Sequence, residues 1–367
     1  MPPIVRHLVR GVLSGVCAVS VMSVPVLLAQ PAALDRVEIR DRKDGSLKVL
    51  NGKLTLSKLG LQLVSGEKKA VLLSYEDILR IVPGELPGID RAMFNTAFNA
   101  EEKKTVKDYE AARALYSEML KKATDAAAKR QLEYRLAMIA TRLADLEGHG
   151  ERWKSLVEAA LKEWDSFLIN HTSGWEIWPA VRTAARLYVD VGRFDAAARL
   201  WSRVQKLSEL PPDLLLEAAI QEADAHFRNK DYIAAQRVAD AALKNAKPGP
   251  FLDRLQLYQT AAQEARNGLK EENLKKITGK IEERLDKLTD PLSRATAFGI
   301  LGELYRQVPN HLREAMWAFL WVETVYNVDK YETHKAAVRL VEIFQAFKDE
   351  ERAQIQLDRL RQLRESL

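Results

Sequence analysis

The fold of this chain is decided by a short stretch that recurs along it and is clearest as GRFDAAARLW at residues 192–201. The stretch places an aromatic residue near its start, an alanine three positions later and a large residue four positions further on. KDYEAARALY at 107–116 repeats all three features, and KDYIAAQRVA at 230–239 repeats the aromatic and the alanine. Looser copies are HLREAMWAF at 311–319 and KDEERAQIQL at 348–357. This self-similarity predicts stacked units, none of which can bury its apolar face alone.

Each copy follows a segment that has the pattern of the first helix of a pair. A small residue in that segment, such as Gly302 of Leu301-Gly302-Glu303, allows the two helices to approach closely. The aromatic residue of the copy fills the wedge between the helices, and the alanine lies where they cross most tightly. We therefore predict that these positions are buried: Tyr109, Phe194, Tyr232, Ala112, Ala197, Ala235, Tyr116 and Trp201.

These residues resemble the motif of tetratricopeptide repeats, and the resemblance covers about three quarters of the chain. Residues 123–175 and 245–292 lack the aromatic–alanine signature, although apolar residues such as Leu132, Leu136 and Ile139 keep helical spacing. The resemblance implies a mainly α fold. It is an α-solenoid of about seven tetratricopeptide-like hairpins over residues 91–367, about five of them with an orthodox motif.

A small all-β domain is predicted ahead of the array, at residues 34–90. Apolar and polar residues alternate there, and the turn signals are Asp44-Gly45 and, most strongly, Asn51-Gly52. Four or five short strands with one helical turn before the last resemble a small SH3-like or Sm-like barrel. Two interpretations are open: a domain that binds peptides, or a cover that packs on the first helices of the array.

The first thirty residues have the pattern of a secretory signal peptide. Arg6 and Arg10 precede an uncharged, mostly apolar run at 11–29, so we expect export to the periplasm or cell envelope. The run is also long enough for an uncleaved membrane anchor. Cleavage would remove Cys17, the lone cysteine, and the loss of the two arginines would lower the net charge from +5 to +3. The mature chain would then have no disulfide and too little positive charge to predict a nucleic-acid partner.

No group of residues in the sequence predicts catalysis. His7 lies in the signal segment, and the other five histidines are scattered, with no two at the helical spacing of metal ligands. There is no glycine-rich phosphate loop and no serine nucleophile elbow. The sequence therefore predicts a protein that is not an enzyme and holds neither a metal nor a cofactor.

The resemblance also implies a binding surface, because the first helix of each tetratricopeptide pair lines a concave groove. With the repeats in register, the residues on that groove are Arg182, Arg186, Asp190, Asp224, Phe227, Arg228, Glu303 and Arg306. Such a mixed, arginine-bearing surface could hold an extended peptide or an acidic segment, or it could be an ordinary solvated face.

Two tryptophans form a second candidate. Trp175 and Trp178 flank an irregular link and precede Pro179. An exposed pair there would be a binding hot spot, whereas a buried pair would fill the joint between two hairpins.

The sequence as a whole predicts a non-enzymatic, exported scaffold that binds a protein or peptide through its concave face. One alternative is a structural envelope component that forms homo-oligomers by stacking, which an apolar, exposed helix at 349–367 would favour. Another is an enzyme at the junction of head and array, which a deep pocket with clustered titratable groups near 75–110 would favour.

Overall fold

The computed structural model describes residues 34–41, 44–65, 70–207 and 210–366. The predicted signal peptide at 1–30, including Cys17, lies outside these residues. Residues 34–367 form one compact unit, which contains both the strand-rich head and the helical array. Whether the head and the array are separate domains, as 34–90 and 91–367, stays a prediction.

Five antiparallel strands build the head in the order β4-β3-β2-β1-β5, and a 3-10 turn at Tyr75–Asp77 precedes the last strand. The strands are β1 (Asp35–Arg40), β2 (Leu47–Ser57), β3 (Gly60–Val64), β4 (Val71–Leu73) and β5 (Ile78–Val82). Val37 of β1 lies opposite Leu50 of β2 and Ile81 of β5. The predicted small all-β region with a helical turn before its last strand is confirmed.

The prediction of a hairpin turn at Asn51-Gly52 was wrong. Both residues lie inside β2, where pairing passes from β1 (Asp35 opposite Gly52) to β3 (Lys53 opposite Val64). A Cβ at Gly52 would lie 2.7 Å from the Val64 carbonyl oxygen, so this glycine permits a close backbone approach instead of a turn. The turn into β3 lies at Lys58–Leu59 and ends at Gly60, whose φ is +117°.

Fourteen helices follow in the described residues, and consecutive helices pack as seven hairpins. They are α1 (Arg91–Glu101), α2 (Val106–Lys122), α3 (Ala126–Glu147), α4 (Gly150–Asn170), α5 (Ile177–Asp190), α6 (Phe194–Val204), α7 (Pro212–Arg228), α8 (Tyr232–Leu243), α9 (Pro250–Ala265), α10 (Glu271–Leu285), α11 (Pro291–Arg306), α12 (Leu312–Thr324), α13 (Lys330–Ala346) and α14 (Glu350–Ser366). The predicted α-solenoid of about seven hairpins is confirmed, and residues 123–175 and 245–292 are largely helical as expected.

The motif positions lie where the two helices of a hairpin meet. All the motif alanines and large residues named above are buried, as are Tyr109 and Tyr232, whereas Phe194 is partly buried. Gly302 of α11 lies directly against Phe319 of α12, and a Cβ on this glycine would lie 2.6 Å from the ring. The small residue in the first helix therefore sets how closely the second helix can pack.

The head packs onto the array through its apolar face. Val37, Leu54 and Leu61 belong to the same buried cluster as Tyr134 and Trp178 of the helices. The Tyr75 hydroxyl donates a hydrogen bond to the backbone oxygen of Trp175 at 2.7 Å, and Arg135 donates to the backbone oxygen of Ile81 at 3.0 Å. These contacts agree with the interpretation of the head as a cover for the first hairpins; peptide binding by the head stays untested.

Candidate functional site

The groove-lining faces of α5, α7, α9 and α11, which we call the inner surface, are covered by helix α13 of the same chain. Twelve of the seventeen residues of α13 are buried, which is the burial of a core helix and not of an end helix. Helix α14 then packs against α3, so the last hairpin closes the array onto its beginning. The groove that the resemblance implied is therefore filled in this structure.

Most of the predicted groove residues do face this inner surface, where they form ion pairs within the chain. Arg186 donates to both carboxylate oxygens of Asp145 of α3 at 2.9 Å. Arg228 donates to Asp224 at 3.0 Å and to Glu303 of α11 at 2.8 Å. All four groove residues named here and their partner Asp145 are buried, so none is available to a partner while α13 is in place.

Residues of α13 complete this ionic network. Lys335 donates to Asp224 at 2.9 Å, and Arg339 donates to Glu303 at 2.6 Å. Glu332 accepts from Arg254 of α9 at 3.2 Å, and that arginine also donates to Glu217 of α7. Each cation of the network therefore has a carboxylate, as buried charges require.

The network also keeps its carboxyl groups ionised. Burial alone would raise the pKa of Asp224, but Arg228 and Lys335 outweigh it and hold the pKa well below the ordinary range. Burial likewise opposes ionisation of Glu303, and Arg339, Arg228 and Arg306 lower its pKa to about 2. These charges bind α13 to the inner surface at neutral pH.

The other predicted groove residues differ in exposure. Phe227 is fully buried between Tyr232 and Tyr258, with ring centroids at 5.2 and 6.1 Å. The side chain of Asp190 is also fully buried. Arg182 and Arg306 keep about a third of their side chains exposed at the rim, at 31% and 27%. Their role in partner binding stays a prediction.

Trp175 and Trp178 are buried, with 8% and 3% exposure. The Trp175 ring packs edge-on against Tyr134 at 5.5 Å, and the Trp178 ring contacts Trp201 at 5.7 Å. The pair thus fills the joint between hairpins, which is the second of the two interpretations, and in this structure it is not an exposed hot spot.

Helix α12 carries exposed aromatic residues that the repeat motif did not single out. Trp317 and Trp321 are 60% and 44% exposed, one helical turn apart on the same side. Val325 and Val328, in the segment that follows α12, are 51% and 60% exposed. We call these four residues the outer aromatic surface. In the sequence, the spacing of both tryptophans is that of repeat-core positions, so the pattern alone does not distinguish them from buried residues.

Neighbouring rings support this surface from below. Phe298 of α11 stacks on Trp321 with centroids 5.5 Å apart and on Tyr326 at the same distance, with interplanar angles of 13° and 18°. Arg294 donates to the Tyr326 hydroxyl at 2.8 Å and fixes that ring. Trp321 is thus held in a defined orientation although almost half of it faces solvent.

No three histidine, cysteine, aspartate or glutamate side chains come together as a metal site within 34–41, 44–65, 70–207 and 210–366. Among the helices that the structure describes, none combines the length and apolarity that crossing a membrane needs.

At the junction of head and array, Arg135 pairs with Glu101 at 3.0 Å and Arg80 with Glu102 at 3.3 Å.

Comparison with known proteins gives no family. No family model matches the chain, and no curated protein matches it. Among solved structures, it is similar to a tetratricopeptide repeat protein from Parabacteroides merdae, at 14% identity over 74% of this chain and 97% of that one, with a TM-score of 0.42. It is also similar to BtubC (BKLC) from P. vanneervenii, at 15% identity over 65% and 91% of the two chains, with a TM-score of 0.30.

A third similar structure comes from the computational design of self-assembling cyclic homooligomers, at 16% identity over 74% and 88%, with a TM-score of 0.12. Likenesses this distant carry no argument about function. The architecture rests on the packing of the hairpins themselves.

Proposed function

We propose that this protein is a non-enzymatic scaffold, exported to the periplasm or cell envelope, that binds another protein through its outer aromatic surface. The observation that carries the proposal is the exposure of Trp317 and Trp321 on a helix that is otherwise packed into the array. The repeat motif first indicated the concave face. Helix α13 of the same chain covers that face, so only the residues at its rim are accessible to a partner.

A tryptophan side chain that is exposed to water loses the free energy that its burial would contribute. Exposed tryptophans are nevertheless common at binding surfaces. Burial of about 100 Å² of apolar area on each ring would contribute about 2.5 kcal/mol per tryptophan at about 25 cal/mol per Å². Tryptophan is also enriched among the few residues that dominate the energy of an interface. The stack of Phe298 and Tyr326 beneath Trp321 reduces the side-chain entropy that a partner would have to remove.

The stacking alternative finds less support. The outer side of α14 carries Ile355, which is 56% exposed, but its exposed neighbours on that helix include Arg352, Gln354 and Asp358. A charged, solvated end helix suits a cap better than a repeat-to-repeat contact. Sedimentation of the chain without residues 1–30 should therefore show a monomer whose mass does not change with concentration.

The proposal is tested by affinity capture from envelope extract with the chain lacking residues 1–30. We expect Trp317→Ser together with Trp321→Ser to lose the captured partner, because the two substitutions remove both exposed rings. Trp317→Ser alone leaves the stack of Trp321 on Phe298 in place and should weaken capture. Ile233→Ser is the matched control, since Ile233 is 71% exposed on α8, away from the outer aromatic surface. Capture of the same partner by the double variant would refute the surface assignment.

A third variant separates the two candidate surfaces. Arg182→Glu reverses a charge at the rim of the inner surface, where Arg182 lies 3.9 Å from Asp329. If Arg182→Glu lost the partner and the tryptophan variant kept it, the binding site would lie on the concave face and not on the outer aromatic surface. The export part of the proposal is tested separately, by the mass and location of the protein made from the full sequence.

A further inference from the structure

A buried histidine lies where the last hairpin, α13–α14, docks on the rest of the array. His334 of α13 is fully buried, and neither of its ring nitrogens has a hydrogen-bond partner within the described part of the chain. Its Nε2 atom lies 3.4 Å from Oδ1 of Asp190 of α5, and that oxygen is also without a hydrogen bond there. Unpaired buried polar atoms are costly, and two of these three, Nε2 of His334 and Oδ1 of Asp190, lie next to each other.

Charged groups surround His334 on every packed side. Arg186 and Asp190 come from α5, Asp145 from α3, Arg364 from α14, and Lys335 from α13 itself. Arg364 also ties α14 down, because it donates to Asp190 at 3.2 Å and to the Gly148 backbone oxygen at 2.7 Å.

We propose that His334 makes the docking of the α13–α14 hairpin sensitive to acid, so that uptake of a proton at this histidine releases the hairpin and uncovers the inner surface. Lys335 is already balanced by Asp224 and Glu332, Arg186 by Asp145, and Arg364 by Asp190. The proton on His334 would therefore be an excess positive charge in the site. The site is closed to water, so neither hydration nor salt can offset that charge. The inference goes beyond the outer aromatic surface and does not depend on it.

The sign of the pH dependence follows from the burial of the imidazole. Burial, and then the charges of Arg186 and Arg364, hold the pKa of His334 well below its usual value. The undocked hairpin would titrate near the ordinary histidine pKa of about 6.5. Docking is therefore fully stabilised above about pH 6.5 and loses about tenfold in its equilibrium constant for each pH unit below it, until the docked histidine itself titrates.

Asp190 acts in the opposite direction. Burial raises its pKa, against the charges of Arg364 and Arg186, so its own titration favours the docked form as the pH falls. The ordinary pKa of histidine, about 6.5, lies well above that of aspartate, about 3.9, so we expect the effect of His334 to appear first as the pH falls. Without the histidine, the acid dependence of docking should therefore become flat or reverse.

The hairpin is the last in the array, so it can open without displacing any later helix, and opening separates α13 from the apolar cluster that it shares with Phe319 of α12. It is joined to α12 by the short link at 325–329, and helices at the end of a repeat array open more readily than internal ones. Opening would expose Asp224, Arg228 and Glu303, three of the residues that the repeat motif placed on the groove.

The experiment is amide hydrogen exchange on the chain lacking residues 1–30, between pH 7.5 and 4.5, with rates corrected for intrinsic exchange. We expect the protection of α13 and α14 to fall below pH 6.5 by about tenfold per unit, while that of α8 changes little. His334→Gln cannot take up a proton, and its protection should not fall with pH. Equal losses of hairpin protection in the wild type and His334→Gln would overturn the proposal.

A second measurement needs no substitution and decides the matter if the variant does not fold. In protein with labelled histidines, nuclear magnetic resonance should show His334 neutral in the docked form throughout the range, with its proton taken up only as the hairpin opens. A histidine that titrates near pH 6.5 while α13 stays protected would overturn the inference.

Discussion

Gly302 offers a sharp test of how the hairpins pack. In α11 its Cα faces the Phe319 ring of α12, and an added Cβ would lie 2.6, 2.7 and 2.8 Å from three ring atoms. Phe319 is fully buried, so the ring cannot move without displacing its neighbours. Gly299 lies one turn earlier in the same helix, and a Cβ there would meet nothing within 4 Å. The two glycines thus differ in the space around them and not in their helix.

The magnitude follows from two opposing effects. Alanine is preferred over glycine inside a helix by about 1 kcal/mol, and this gain applies at both positions. At Gly302 the new methyl group also has to force the rings apart, and such overpacking costs about 1–3 kcal/mol. We therefore expect Gly299→Ala to stabilise the protein by up to about 1 kcal/mol, and Gly302→Ala to be less stable than Gly299→Ala by about 1–3 kcal/mol.

The assay is equilibrium unfolding in urea, followed by far-ultraviolet circular dichroism for the wild type and both variants. Comparison of the two variants removes the helix-propensity effect, which is common to them. A double variant with Phe319→Leu should recover part of the loss, because the smaller side chain leaves room for the methyl group. If Gly302→Ala were as stable as Gly299→Ala, the close approach of α11 and α12 would not be the reason for glycine at this position.

Two further predictions concern the buried ionic network. Asp224→Asn leaves the cations Arg228 and Lys335 without a full counter-charge and should destabilise the protein by about 3–5 kcal/mol in urea unfolding. Glu283→Gln, on the exposed side of α10, should change stability by less than about 0.5 kcal/mol, and equal effects would show that the network contributes nothing. Because the pKa of Glu303 is lowered to about 2, its stabilisation is complete above about pH 4.5 and is lost toward pH 2. Glu303→Gln should therefore show a shallower fall in stability over that interval than the wild type, and identical slopes would count against the pairing.

The local pattern of the sequence predicted the helical hairpins and the strand-rich head, but it placed a turn inside β2. The aromatic–alanine signature placed Tyr109, Ala112 and Tyr116 in the core, because helix periodicity decides which side chains share a face. Alternation of apolar and polar residues indicated the strands, because successive side chains of a strand point to opposite faces of the sheet. The turn predicted at Asn51-Gly52 was wrong because this dipeptide is compatible with two structures. It favours a tight hairpin turn, but its glycine also allows a neighbouring backbone to approach closely within a strand, as it does here.

The candidate site could be predicted only in part. The repeat register put Arg186, Asp224 and Glu303 on the inner surface, and there they are. The register does not predict that α13 covers these residues or that α14 packs against α3. Each hairpin is rotated slightly relative to the one before it, and the position of the last hairpin depends on all of these rotations together. The burial of Trp175 depends on its contact with Tyr134 of the neighbouring hairpin, which the pattern of one segment does not show.

The sequence by itself therefore determined the units of this protein: the strand-rich head, the helical hairpins, and the small and aromatic residues at their crossings. These depend on contacts between residues close in the chain, which local periodicity encodes. Only the tertiary structure decided which surfaces face water, because Lys335 meets Asp224 and Arg364 meets Asp190 across more than a hundred residues. Such contacts depend on the curvature of the whole array, which no short stretch of sequence specifies.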